Sequence, residues 1–208
     1  RIYHSSKFAL RGHQFVSSWH NRDIALIGCL SNQGLNFMLR MSLAFILLFL
    51  HLLLYVYFFY TIVAILKGGA FVPTSRRNVK RILGLAKPKK GETLIDLGSG
   101  DGRILIEAAK DGAKCTGVEI NPLLCWYSRF RIWLKGLKNV TVTQTDLWKT
   151  DFSQFDVLTV YFVASKMGAL RDKIKKEMKP GSRVVSSRNT FPDWECAGTD
   201  DKVYLYIV

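Results

Sequence analysis

The chain has 208 residues, room for one ordinary domain and an appendage. Lys and Arg number 30 against 16 Asp and Glu, a formal charge of +14. That excess points to an anionic partner (nucleic acid, lipid headgroups or an acidic protein) without choosing among them. Cys29, Cys115, Cys125 and Cys196 form no Cys-x-x-Cys pair, which argues against a disulfide framework or a metal site and fits a reducing compartment.

Residues 1–40 are polar, mixed and aperiodic, and little stable structure is expected there. A more coherent stretch begins at Met41, so Met41 or Met38 is a candidate native start, with the residues before it a non-native upstream translation or expression artefact. The rival reading is a transit peptide: Arg1, Lys7, Arg11, Arg22 and several serines accompany a single acid, Asp23.

Residues 41–67 read as a transmembrane helix. Its core, Leu43 to Leu66, is 24 residues without Asp, Glu, Lys or Arg. At about 1.5 Å per residue it reaches roughly 36 Å, enough to cross a hydrocarbon layer of about 30 Å. A secretory signal would be shorter and carry a small-residue cleavage site. His51 is read as a neutral imidazole bonded to a carbonyl rather than as a proton relay, and Tyr55, Tyr57 and Tyr60 as interfacial anchors. Arg40 precedes the span, while Lys67, Arg76, Arg77, Lys80, Arg81, Lys87, Lys89 and Lys90 follow it. The positive-inside rule then leaves the following domain in the cytoplasm, or in the matrix of an organelle, with its basic juxtamembrane segment facing anionic lipids.

Residues 68–208 form the folded domain. Val79, Ile82, Leu83 and Ala86 have helical spacing behind Thr74 or Ser75 as N-cap. Strands are expected at Thr93–Leu97, Lys114–Val118, Val140–Gln144, Phe155–Val163, Ser182–Ser187 and Lys202–Val208, with helices at Arg103–Asp111, Pro122–Lys135 and Met167–Met178. Strict alternation of this kind specifies a doubly wound, mostly parallel α/β sheet with helices on both faces, here preceded by one transmembrane helix. The third of these strands is expected to be buried, so the glycosylation pattern Asn139-Val140-Thr141 is read as chance.

The first strand ends in Asp96-Leu97-Gly98-Ser99-Gly100-Asp101-Gly102. Glycines there let backbone approach a ligand closely, and the next helix offers free N–H groups. A dinucleotide frame would run Gly98-x-Gly100-x-x-Arg103, which puts a large cation where close packing needs glycine. The D-x-G-x-G-x-G pattern instead resembles motif I of class I S-adenosylmethionine-dependent methyltransferases. Glu119 ends the second strand about 20 residues on, where an acid can accept from ribose hydroxyls. Asp146 ends the third, where that class places an acid facing the adenine amino group, with Leu147 and Trp148 beside it.

The stretches "GGAFVPTSRRNVKRIL", "DLGSGDGRILIEAA" and "DLWKTDFSQFDVLTVYF" resemble a family of small membrane-anchored protein-lysine methyltransferases that act on the ATP-synthase c subunit and the adenine nucleotide translocase. The resemblance implies a Rossmann-like fold and S-adenosylmethionine as cofactor, held by Asp96, Gly98, Ser99, Gly100, Gly102, Glu119, Asp146 and Leu147. It also implies a membrane-protein substrate whose lysine enters a channel shaped by Phe71, Pro73, Thr74, Tyr161 and Phe162, and no metal. The late hairpin of that fold looks abbreviated after Pro192-Asp193-Trp194. The alternatives are a small-molecule or lipid acceptor, a non-catalytic cofactor-binding membrane module and, more remotely, RNA, for which no stacking motif or added RNA-binding domain is present.

Overall fold

The computed structural model describes the backbone of residues 6–67 and 72–208, and the side chains of 33–66 and 72–208. Contacts divide the chain into two units, Arg1–Tyr55 and Val56–Val208.

The first unit is built on helix α1, Ser6–Lys67, whose last turns belong to the second. Residues 6–40 are therefore helical, where the sequence led us to expect little structure. No proline occurs before Pro73, and extending an existing helix fixes far fewer dihedrals per hydrogen bond than starting one. Gln33–Leu66 is long and apolar enough to cross a membrane, and no residue of its most apolar stretch is buried among the described residues. His51 Nδ1 donates to the carbonyl of Leu47 at 2.8 Å, so this polar group inside the apolar stretch is bonded within its own helix.

The second unit carries a seven-stranded sheet in the order β3-β2-β1-β4-β5-β7-β6. The strands are β1 (Thr93–Leu97), β2 (Lys114–Glu119), β3 (Val140–Gln144), β4 (Val157–Val160), β5 (Arg183–Ser187), β6 (Gly198–Asp200) and β7 (Val203–Ile207). The first five pair in parallel, while β7 joins β5 and β6 antiparallel. Helices α2 (Arg76–Ala86), α3 (Arg103–Ala108) and α4 (Pro122–Leu134) cover one face, packing Ile82, Leu105 and Ile132 into one core. On the other face, α5 (Met167–Glu177) buries Met167, Leu170 and Ile174 with Phe152, Phe155 and Tyr206. α2 starts where Ser75 accepts from Asn78 N–H and ends where left-handed Lys87 donates back to Leu83, so both ends are satisfied locally.

Two expectations are corrected and a third is narrowed. β3 is an edge strand in which only Val142 is buried; its β-branched alternation identifies a strand but not its place in the sheet. Asn139 is still not a free acceptor, because its amide donates to Ala109 and Ala113 carbonyls at 3.0 and 2.7 Å. β4 is shorter than Phe155–Val163: Asp156 turns to receive Thr93 N–H, and Tyr161 and Phe162 leave the sheet at its carboxyl end. The late hairpin forms both its strands, and its abbreviation is confined to the first, cut to Gly198–Asp200 and reversed at Asp201, φ 56°.

Candidate functional site

The strand order reverses between β1 and β4, and the carboxyl ends of the strands open there into a cleft. Asp96, Leu97, Gly98 and Ser99 supply its floor, and Glu119, Asn121, Thr145, Asp146 and Leu147 one side. Thr74, Val160, Tyr161, Phe162 and Ser187 stand opposite, with Tyr60, Thr61 and Ala64 from the last turns of α1.

The glycine turn is held by a short set of bonds. Gly98 and Ser99 N–H both reach the carbonyl of Val118, and Gly102 N–H reaches that of Ser99. Gly98, Gly100 and Gly102 all have positive φ, at 73°, 54° and 74°, which a side chain would strain. Only Gly98 of these lines the cleft; Gly100 serves through its N–H, which donates to Glu119 Oε2 at 2.9 Å. Gly102 is the left-handed N-cap of α3, and a Cβ there would come 3.1 Å from Ser128.

Glu119 is buried, and its other oxygen receives Ile120 and Asn121 N–H, each at 2.9 Å. Burial pushes its pKa up against those three backbone bonds. The carboxylate is thus fixed as the brace of the turn, with one acceptor site of Oε2 left over on a residue that lines the cleft. Asp96 is also buried and accepts from Thr159 Oγ1 at 2.7 Å. Desolvation raises its pKa to about 7, with the Thr159 bond opposing and the Glu119 and Asp101 charges adding. At Asp101 burial again favours the neutral acid, but Arg103 and Arg131 outweigh it and hold the carboxyl below its ordinary range. Asp146 caps the turn of Leu147–Lys149 by accepting from Trp148 N–H, so its carboxylate sits on the cleft wall.

The structure brings Asp96, Gly98, Ser99, Glu119, Asp146, Leu147, Thr74, Tyr161 and Phe162 to one cleft. It does not bring Pro73, which is exposed between cleft-lining Val72 and Thr74, or Trp148, which stacks edge-on against Phe162 from behind. Phe71 lies outside the described residues. Gly117 escapes sequence reasoning: a Cβ there would meet Leu105 Cδ1 and Ser99 Oγ at 2.6 Å, so β2 admits the turn only because this position is bare. Its one signal is a glycine inside a strand. Arg103, in sequence only a misfit to the dinucleotide frame, has a definite task. It chelates Asp101 through Nε and Nη2 at 2.8 and 2.7 Å and donates through Nη1 to the carbonyl of Thr74. One guanidinium therefore ties the glycine turn to the segment leading into α2.

An adenosyl donor fits these residues on two counts. Gly98 faces the cleft with nothing within 4 Å of where a Cβ would stand, leaving backbone accessible. Ser99 Oγ is buried on the cleft wall with no hydrogen-bond partner among the described residues, a donor and acceptor held ready.

The sequence signature of the ANTKMT methyltransferase domain matches residues 96–198. A protein-lysine N-methyltransferase of Saccharolobus islandicus is 34% identical over 149 residues, covering 66% of this chain and 92% of that protein. This chain belongs to the same family as that protein-lysine N-methyltransferase. The lysine N-methyltransferase of the ATP synthase c subunit from Xenopus laevis is 40% identical over 125 residues, 60% of this chain and 55% of its own. The chain thus spans just over half the length of such vertebrate relatives. Among solved structures, a Salinibacter ruber protein described as an RNA methyltransferase, in complex with S-adenosyl-L-homocysteine, superposes with a TM-score of 0.64 at 37% identity, over 65% of this chain and 93% of that one. The fold is therefore that of class I methyltransferases, and S-adenosylmethionine is the cofactor of the domain.

Proposed function

We propose that the chain is a membrane-bound, S-adenosylmethionine-dependent protein-lysine methyltransferase whose substrate is itself a membrane protein. The observation that carries this reading is the continuity of the cleft: the glycine turn and the aromatic pair Tyr161–Phe162 bound one space. Asp96, the Gly98–Ser99 backbone and Glu119 hold the donor, with Asp146 and Leu147 at its base end. When bound, the cofactor supplies an electrophilic methyl group.

The rest is alignment. A lysine, with an ordinary pKa of about 10.4, must arrive neutral. Val72, Leu124, Tyr161 and Phe162 make part of the wall apolar, which disfavours ammonium, so the proton goes to water as the side chain enters. Thr74 and Tyr161 orient the amine. No separate base is required. The relatives named for the ATP synthase c subunit and for adenine nucleotide translocase support a membrane-protein acceptor. The apolar stretch Gln33–Leu66 supports anchoring, with the domain on the cytoplasmic or matrix side and the basic segment after the span against anionic lipid.

The Salinibacter protein, described as acting on RNA, gives an RNA acceptor as the second reading. Membranes containing the full chain, incubated with methyl-labelled S-adenosylmethionine, separate the two. Label recovered as methyl-lysine from one membrane protein, and lost with Asp96→Ala, is expected. Label in RNA, or only in the lipid extract, overturns the lysine reading.

A further inference from the structure

Helix α4 buries Leu124, Cys125, Ser128 and Ile132 against the sheet, yet its outward side is not polar. Trp126, Trp133 and Leu134 are 66%, 72% and 62% exposed, and Tyr127 and Phe130 more than two-fifths. Trp126, Phe130 and Trp133 follow the i, i+4, i+7 spacing of one helix face. Their rings stack in sequence, 5.8 Å apart at 2° and 6.0 Å apart at 25°. A surface helix normally turns charge to water, and a row of large rings left bare marks a contact surface.

The charge around the row is one-sided. From Ile120 to Thr145 the chain carries Arg129, Arg131, Lys135 and Lys138 and no acid. Arg129 is pinned to the Val142 carbonyl and Arg131 to Asp101, so their charges stay beside the rings. Lys135 and Lys138 are exposed just past the helix end. Indole and phenol rings framed by Arg129, Lys135 and Lys138, with Arg131 balanced by Asp101, match the headgroup zone of an anionic bilayer, where rings enter the boundary and lysines reach phosphate.

We propose that the outer face of α4 is a second, peripheral membrane contact, which lays the domain against an anionic lipid surface through Trp126, Phe130 and Trp133. The inference rests on the membrane-bound reading and extends it from a tether to an oriented domain. Two other occupants of this face are weaker. A second copy would bring the cations of one protomer against those of its partner. A nucleic acid would need open ring faces, and these rings are stacked on each other.

The test uses the full chain reconstituted in vesicles of phosphatidylcholine and phosphatidylglycerol, with acyl chains brominated or not, and a variant carrying Trp126→Tyr and Trp133→Tyr. Flotation with the vesicles reports the span alone and should be equal for both proteins. A chain that fails to float overturns the membrane-bound reading itself. Bromolipid should quench about two-fifths of the wild-type tryptophan emission and much less of the double variant's, because two of the five tryptophans then lie at the lipid boundary. Equal quenching of two proteins that float overturns the α4 contact. So does quenching that follows protein density in the vesicle, which marks a second copy, or selective quenching of the wild type by a single-stranded oligonucleotide in place of lipid.

Discussion

Asp96 and Asp101 stand at the two ends of one glycine turn, and their surroundings drive them apart. Asp96 lies inside β1 among a hydroxyl and two carboxylates, and burial carries its pKa to about 7. Asp101, at the mouth of α3, meets two guanidiniums and stays ionised. The same side chain serves as a latch at one end and, in the function proposed above, as a proton-dependent seat for a cation at the other. What separates the roles is the neighbours each position recruits from distant parts of the chain.

Breaking the latch should have the largest effect. Asp101→Ala leaves Arg103 and Arg131 facing one another; their side chains are 30% and 27% exposed, so water offsets part of the loss. Urea unfolding should show the domain weakened by about 2 kcal/mol. A wild-type midpoint would mean that the pair is ornamental.

Asp96→Asn tests the other end. S-adenosylmethionine carries positive charge, so it favours ionised Asp96. Affinity for it should rise about tenfold per pH unit below 7 and level off above. The asparagine variant should be flat, and weaker than wild type by at least about tenfold at pH 8. Stability runs the opposite way. A carboxyl with a raised folded pKa contributes most below its unfolded value, and that contribution drains away as pH climbs from about 3.8 to about 7. Calorimetric titrations and melts across that range check both signs.

Between the two acids, Gly98→Ala adds a methyl to backbone at φ 73° with open space around it. It should cost about 1 kcal/mol in thermal stability from strain alone. It should also weaken donor binding, because the methyl points to the cleft. The smallest effect is expected of Ser99→Ala. It removes a buried hydroxyl without a partner, so the ligand-free protein should hold or gain a few tenths of a kcal/mol while donor affinity falls by roughly threefold. A loss of stability without a loss of affinity would mean that Ser99 serves the fold rather than the ligand.

Much of this arrangement is legible in the sequence because it is local. Alternating apolar strands and helices place β1, β2 and the acids at their ends, and the spacing of Gly98, Gly100 and Gly102 marks the turn. What stays hidden depends on partners far along the chain. Arg103 looks like a misfit until Thr74 and Asp101 appear beside it. Gly117 carries no motif, and only the approach of Ser99 shows why it is bare. β6 has no apolar pattern and exists because β7 offers it an edge. Residues 6–40 lack periodicity yet are helical, since extending a helix that already exists needs no apolar stripe.

The bond from Arg103 to the Thr74 carbonyl also sets a rule for anyone trimming the chain to a soluble fragment. A fragment opening at Arg76 would lose both the Ser75 cap of α2 and the oxygen that Nη1 of this guanidinium grips, so Arg103 would hold Asp101 but no longer tie the donor turn to α2. Cutting upstream of Val72 keeps the grip and sheds the apolar helix.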